Sequence, residues 1–141
     1  IRNELNPLEV SFVENPSFES GMLSSIQAAI PKVSSKSAGW MVFLGDQPKI
    51  PQNLVNHLIE QFQKHYKAEK NLIVLPVCAG IRRNPVIFSR SFNKRMMAHQ
   101  GEGGKAMIDA HQDSLLEVEV DDVTLFEDID TEEDYDLLKP N

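Results

Sequence analysis

Two apolar runs separated by an amphipathic stretch constrain the fold of this chain most. Residues 39–44 (GWMVFL) and 71–77 (NLIVLPV) are short and nearly continuously apolar, which is typical of strands buried on both faces of a sheet. Between them, residues 51–67 carry one apolar stripe at helical spacing, with Pro51 at a first-turn position. The order strand, helix, strand predicts a three-layer α/β sandwich with a mostly parallel sheet.

The remaining hydrophobic patterning extends this alternation toward both ends of the chain. We find no internal repeat or linker, and 141 residues are enough to bury one core, so we expect residues 1–141 to form a single domain. Further strands are predicted at residues 8–13, 86–88 and 115–120, an extended segment at 125–126, and helices at 22–30, 90–99, 103–111 and 131–138.

Charge and cysteine content exclude several classes of protein. A formal net charge of −7 argues against general nucleic-acid binding, although a nucleotide carried with a divalent cation remains compatible with it. The single cysteine, Cys78, has no internal disulfide partner, which predicts a cytoplasmic location. No apolar stretch reaches the roughly 18 residues of a membrane span, so no membrane contact is expected.

Two aspartate-bearing segments are the main candidates for chemistry. Gly45 and Asp46 follow the apolar run at 39–44, and a second acidic segment occupies residues 128–134. Carboxylates in such positions converge at one edge of an α/β sheet, where oxygen ligands can hold Mg²⁺. The alternative for Asp46 is stabilisation of its own turn.

The second acidic segment has its own alternatives. Thr131 followed three residues later by Asp134 is the pattern of a helix capping box. Asp128 and Asp130 compete as metal ligands, and the sequence alone does not separate them. The whole acidic cluster also fits a solvated rim.

Three polar segments are candidates for ligand contact. Residues 15–26 (NPSFESGMLSSI) join a loop to a helix start, where amides, Ser24 and Ser25 can meet a base or ribose; an ordinary loop-to-helix transition is the alternative. Arg82 and Arg83 can bind an anion bidentately or simply be solvated. Residues 101–105 (GEGGK) lack the spacing of a phosphate-binding loop and also fit a plain helix-starting turn.

Taken together and in order, these segments resemble the molybdenum cofactor nucleotidyltransferase-like family, and within it the molybdenum cofactor cytidylyltransferase branch. The likeness runs across nearly the whole chain. It is carried by Asn15 with Gly21-Met22 and Ser25-Ile26, Leu44-Gly45-Asp46-Gln47-Pro48, Gly80-Ile81-Arg82-Arg83-Asn84-Pro85-Val86-Ile87-Phe88, Gly101-Glu102-Gly103-Gly104-Lys105, and Asp128-Ile129-Asp130-Thr131-Glu132-Glu133-Asp134.

The resemblance implies a GT-A (Rossmann-like) nucleotide-diphospho-sugar transferase fold. It implies transfer of CMP, or of GMP, from an NTP (CTP favoured) to a phosphorylated acceptor such as molybdopterin, with release of pyrophosphate. Asp46 and Asp130 would be catalytic and share Mg²⁺. The implied nucleotide-binding residues are Asn15, Gly21, Met22, Ser24, Ser25 and Gly45, and the implied acceptor-binding residues are Arg82, Asn84, Gly103 and Lys105.

The chain also departs from the family pattern. Arg83 replaces a glycine usual in the family, while Glu102 and Lys105 replace an aspartate and an arginine, changes expected to affect acceptor choice. The family opens with a strand, a glycine-rich loop (L-A-A-G-x-S-x-R-x-G-x-x-K) and a helix, whereas this sequence starts at Ile1, after that loop. We therefore expect an N-terminally truncated domain that is inactive or nearly so alone. It is expected either to form a homo-oligomer through its uncovered edge or to be a fragment of a longer protein. The alternative is an inactive fragment or paralogue that binds a nucleotide, a pterin or a protein.

Overall fold

The structure is a computed structural model that describes residues 5, 10–100 and 103–136. Five strands and five α-helices lie wholly within these residues, with short 3₁₀ turns between several of them. The strands are β1 (Gly39–Val42), β2 (Ile73–Cys78), β3 (Ile81–Arg82), β4 (Val86–Ser89) and β5 (Leu115–Glu119). The helices are α1 (Met22–Ala29), α2 (Gln52–His65), α3 (Asn93–Ala98), α4 (Gly103–Asp109) and α5 (Glu132–Asp136).

The strands form one mixed sheet, so the prediction of a mostly parallel sheet is wrong. β4 is antiparallel to both β1 and β2, and β3 is antiparallel to β2. The β2–β5 pair is parallel, with Ile73 opposite Leu115 and Val77 opposite Glu119. The reason lies in residues 79–85, because this connection is too short for the crossover that parallel neighbours require. The chain instead reverses at Ala79 and Gly80, which have φ angles of 50° and 73°.

Helices cover both faces of the sheet, which confirms the predicted α/β class. All six positions of β2 are buried, and its side chains alternate between two apolar clusters. On one face, Val74 and Cys78 pack in the cluster that contains Leu58 of α2. On the other face, Ile73, Leu75 and Val77 pack with residues of α1, α3 and α4: Leu23, Ile26, Met96, Met107 and Ile108.

β1 differs from the predicted strand buried on both faces. Its four residues are half-buried, and within the described residues it pairs with β4 alone. Trp40 stacks on Phe88 with ring centroids 4.8 Å apart. A side chain at Gly39 would place its Cβ 2.5 Å from the Phe88 carbonyl oxygen, so this close approach requires glycine. β1 is thus held through β4 and leads directly into the loop that contains Asp46.

Two smaller predictions were also wrong. Residues 10–13 form no strand, and residues 8–9 of that predicted strand lie outside the described residues. Residues 125–126 belong to a 3₁₀ turn (Val123–Phe126), which begins where Asp122 accepts the Thr124 amide hydrogen. Phe126 is buried, so this turn is anchored to the core. Within residues 10–100 and 103–136, no helix combines the length and hydropathy needed to cross a bilayer.

Candidate functional site

The two acidic segments meet at the end of β1. The backbone N–H of Ile129 donates to the carbonyl oxygen of Asp46 at 2.9 Å. Beside this bond, the Gln47 amide Nε2 donates to Asp128 Oδ1 at 2.8 Å, and Lys49 Nζ lies 2.5 Å from Glu127 Oε2. We call residues 45–49 and 127–130 the acidic junction. The predicted convergence of these two distant segments is therefore present in the fold.

The carboxylates of the acidic junction differ in their partners. Asp128 accepts the Gln47 hydrogen bond, and Glu127 is paired with Lys49. The exposed carboxylates of Asp46 and Asp130 form no hydrogen bond or ion pair with any described residue. Two acidic side chains of the junction are therefore committed to the protein, and two remain available to a ligand.

The capping box predicted downstream is present at the start of α5. The Thr131 N–H and hydroxyl donate to Asp134 Oδ2 at 3.0 and 2.7 Å, and the Asp134 N–H donates to Thr131 Oγ1 at 3.1 Å. These hydrogen bonds from Thr131 hold the pKa of Asp134 below its usual value. Asp134 therefore caps the helix, and the carboxylate of Asp130 is not needed for that purpose.

The donor set of the acidic junction fits a hard divalent cation. Mg²⁺ is usually held by one or two carboxylates together with substrate phosphates, and Asp46 and Asp130 supply that number. Among the described residues, no group of three or more His, Cys, Asp or Glu side chains is placed to hold a metal ion, so a cage made only of protein ligands is not present there. Gln47 Oε1 adds a buried oxygen that has no hydrogen-bond donor in the described chain.

The predicted nucleotide-binding residues at the start of α1 form a connected group. Asn15 Nδ2 donates to the hydroxyl oxygens of Ser24 and Ser25 at 2.7 and 2.9 Å. Gly21 precedes the helix with φ 91° and ψ 177°, a conformation that favours glycine. These contacts fix the loop on the helix start, and they also occupy part of the hydrogen-bonding capacity predicted for a nucleotide.

Two adjoining cavities contain several of the predicted ligand-binding residues in their walls. The smaller has a volume of about 380 Å³ and is lined along β1 and α1, with Ser25 and Gly45 in its wall. The larger has a volume of about 720 Å³ and contains Arg82, Asn84 and Lys105. Both cavities share the boundary residues Met22, Ile26 and Val42. Some of the residues predicted for the nucleotide and for the acceptor thus line neighbouring spaces, whereas Asn15, Gly21 and Ser24 line neither cavity.

The predicted glycine positions differ in their surroundings. A Cβ at Gly45 would have no neighbouring atom within 4 Å, so packing within the described chain does not require glycine there. Gly103 is the first residue of α4. Gly101 and Glu102, which carry part of the resemblance, lie outside the described residues.

Arg82 is bound by its own chain. Its Nε donates to Glu117 Oε1 at 2.6 Å, and its Nη2 donates to Gln112 Oε1 at 2.6 Å. Its Nη1 lies 3.4 Å from Asp109 Oδ1. The guanidinium charge is therefore balanced by two carboxylates, and the contacts connect β3 with β5 and the end of α4.

Arg83 and Lys105 are the cations of the larger cavity wall that form no ion pair within the described residues. The guanidinium carbon of Arg83 lies 5.9 Å from the centre of the Phe126 ring, and its Nε is buried without a hydrogen-bond partner there. The sequence showed Arg83 as a departure from a family pattern and did not predict this contact. Gln47 and Lys49 were missed as well, because their partners lie about 80 positions away along the chain.

Comparison with known proteins gives matches to one family of transferases. The sequence pattern of the MobA-like NTP transferase domain matches residues 1–121. Molybdenum cofactor cytidylyltransferase of Escherichia coli is 26% identical to this chain over 135 residues, which are 95% of this chain and 65% of that protein. The chain therefore spans about two thirds of the length of this relative.

Solved structures show the same fold. Rv0371c of Mycobacterium tuberculosis matches with a TM-score of 0.68 and 23% identity, over 82% of this chain and 58% of that one. Its complex with manganese matches with a TM-score of 0.65 and 23% identity, over 81% and 59% of the two chains. A homologue from another Mycobacterium species gives 0.63 and 27%, over 81% and 55%. Since the domain pattern covers most of its length, the chain belongs to the MobA-like NTP transferase family.

Proposed function

We propose that this chain contains the transfer centre of a nucleotidyltransferase that moves CMP, or GMP, from an NTP to a phosphorylated acceptor such as molybdopterin. Pyrophosphate is the second product, and CTP is the favoured donor. Family membership supports nucleotide transfer, and the cytidylyltransferase relative supports the choice of CTP and of a pterin acceptor. The observation that carries the proposal is the meeting of Asp46 with the 128–130 segment, next to Gly45 in the wall of the smaller of two adjoining cavities.

Asp46 and Asp130 are the proposed ligands of Mg²⁺. Their carboxylates are free of partners within the described residues, whereas Asp128 is engaged by Gln47, which favours Asp130 over Asp128. When bound, the ion would supply positive charge that offsets the negative charge growing on the phosphates during transfer. The manganese complex of Rv0371c is consistent with a divalent ion in this fold.

The smaller cavity is the proposed nucleotide side. Its wall contains Met22, Ser25 and Gly45, and the open space at Gly45 lets a ligand approach the backbone just before Asp46. Asn15 and Ser24 act through the hydrogen bonds that hold this loop on α1. The nucleotide would thus lie along the end of β1 with its phosphates toward the acidic junction.

The larger cavity is the proposed acceptor side. Its volume of about 720 Å³ lies within the usual range for small-molecule sites. Asn84 lies in the wall, and Gly103 begins the helix that carries Lys105. Lys105 and Arg83 supply positive charge that no described acidic residue pairs with. Arg82 stabilises the cavity wall through its hydrogen bonds to Glu117 and Gln112. No general base is needed, because an acceptor phosphate is already ionised at neutral pH.

Calorimetric titration of Mg²⁺–CTP into the chain tests the proposal. We expect Asp46→Ala to weaken binding at least tenfold, a loss of about 1.4 kcal/mol, since one of two metal ligands is removed. Asp113→Ala is the matched control, because Asp113 is an exposed aspartate outside the acidic junction. Equal affinities of the wild type and Asp46→Ala would contradict the proposed site. Binding without any CTP-dependent turnover in the full-length protein would instead favour a nucleotide-binding module.

A further inference from the structure

The contacts at the acidic junction follow one register. Residues 46, 47 and 49 meet residues 129, 128 and 127 in that order, so the two segments run in opposite directions past each other. Extended by one residue, the same register would place Asp130, which follows Ile129, opposite Gly45 and next to Asp46. A slip of one residue would break all three contacts and displace Asp130 relative to Asp46.

Two side-chain pairs outside the metal ligands maintain this register. One is the hydrogen bond from Gln47 to Asp128, and the other is the ion pair between Lys49 and Glu127. We call these four residues the latch. Both side chains of the ion pair are substantially exposed, at 38% for Lys49 and 54% for Glu127, and such pairs add little to global stability. The ion pair therefore contributes little to stability, and its significance lies in its position beside the unpaired carboxylates of Asp46 and Asp130.

The latch also reduces the repulsion between neighbouring carboxylates at the acidic junction. Asp46, Glu127, Asp128 and Asp130 bring four carboxylates into a short stretch, and like charges repel one another. Lys49 offsets the charge of Glu127. The Gln47 amide group satisfies Asp128 without adding charge. The two committed carboxylates are thus held by protein groups, and those of Asp46 and Asp130 have no partner among the described residues.

We propose that Gln47 and Lys49 are positioning residues, which hold Asp128 and Glu127 so that Asp46 and Asp130 stand at a spacing that one divalent cation can bridge. This inference rests on the proposed function, because it assumes that Asp46 and Asp130 share the ion. It assigns a role to side chains that do not themselves contact the ion or the nucleotide.

Mn²⁺ binding to the whole chain, followed by the electron paramagnetic resonance signal of the free ion, tests the latch. Gln47→Glu and Lys49→Glu both make the junction more acidic, so a purely electrostatic effect would tighten Mn²⁺ binding. Loss of positioning would instead weaken Mn²⁺ binding. We expect both variants to bind Mn²⁺ about fivefold to tenfold more weakly than the wild type. The direction of the change therefore separates the two explanations.

Rescue variants complete the experiment. The charge reversal Lys49→Glu with Glu127→Lys restores an ion pair and should return Mn²⁺ affinity to within about twofold of the wild type. Thermal unfolding measured on each variant shows whether the fold is kept. Unchanged or tighter Mn²⁺ binding by folded Gln47→Glu and Lys49→Glu would overturn the positioning role.

Asp46→Ala distinguishes failure of the latch from failure of the site. If Asp46→Ala abolishes Mn²⁺ binding while the latch variants bind normally, the metal site stands and the positioning role is wrong. If Asp46→Ala binds Mn²⁺ as the wild type does, the proposed metal site is wrong, and the latch inference fails with it.

Discussion

The acidic junction and the Arg82 cluster are both charged groups near the ends of strands, yet their hydrogen bonding differs. At Arg82, the guanidinium group contacts Glu117, Asp109 and Gln112, so the charges satisfy one another. At the acidic junction, two carboxylates are engaged and those of Asp46 and Asp130 are left without partners among the described residues. A satisfied cluster stabilises the fold, whereas an incompletely satisfied one is available to a ligand. Four predictions test this difference, from the largest expected effect to the smallest.

The largest effect is expected at the free carboxylates. In the full-length protein, Asp46→Asn and Asp130→Asn should each lower kcat about 100- to 1000-fold, the range seen when one electrostatic group of an active site is lost. Asp128→Asn should lower kcat less than tenfold, because an asparagine oxygen still accepts the Gln47 hydrogen bond. Steady-state assays with saturating CTP and Mg²⁺ measure this. A larger loss with Asp128→Asn than with Asp130→Asn would reverse the assignment.

Arg82→Ala should act on stability. Removing the guanidinium leaves Glu117 and Asp109 without their cation, and we expect a loss of about 1–2 kcal/mol in the free energy of unfolding, reduced by partial solvent exposure. Denaturant titration measures this loss. Asp46→Ala is the contrasting variant and should unfold at the same denaturant concentration as the wild type. A stable Arg82→Ala protein that no longer binds the acceptor would show that Arg82 contacts the ligand directly.

The two glycines on the nucleotide side offer a matched pair. Gly21→Ala should destabilise the chain by about 1 kcal/mol or more, since φ is 91° there and non-glycine residues are strained in that region. Gly45→Ala should leave stability unchanged, because its Cβ would meet no atom, yet it should weaken CTP binding. Thermal unfolding and CTP titration of both variants separate strain from ligand contact. Equal CTP affinity of Gly45→Ala and the wild type would remove Gly45 from the site.

The smallest effect is expected at the cap of α5. Because the folded-state pKa of Asp134 lies below its usual value of 3.8, its stabilising contribution is present above that value and is lost as pH falls through the lower, folded-state pKa. Thr131→Ala should raise the pKa of Asp134 toward the usual value. A carboxyl-detected NMR titration of wild type and variant measures both. An unchanged Asp134 pKa in Thr131→Ala would show that the cap does not cause the shift.

Local patterns in the sequence predicted most of the elements but not their pairing. The apolar stripe at 51–67 predicted α2, and the run at 71–77 predicted β2, because both are properties of short segments. The direction of β4 was mispredicted, although the short connection at 79–85 already carried the signal. Among the described residues β1 pairs with β4 alone, and hydropathy does not encode which strands lie beside it.

For the candidate site too, the sequence predicted the segments but not the contacts between them. Residue types and spacing pointed to Asp46 and the 128–134 segment, and the fold brings these segments together. The sequence left Asp128 and Asp130 equivalent, because only the contact with Gln47 distinguishes them. It likewise treated Arg82 as free, since its partners Glu117 and Asp109 come from elements far along the chain.

A crystal structure of the chain soaked with Mn²⁺ and CTP, with the ion located by its anomalous scattering, tests the shared ion most directly. We predict one Mn²⁺ with oxygens of both Asp46 and Asp130 at about 2.1–2.3 Å, as for other small divalent ions bound by carboxylates. A Mn²⁺ ion bound away from Asp46, or coordinated by Asp128 in place of Asp130, would contradict the proposed centre.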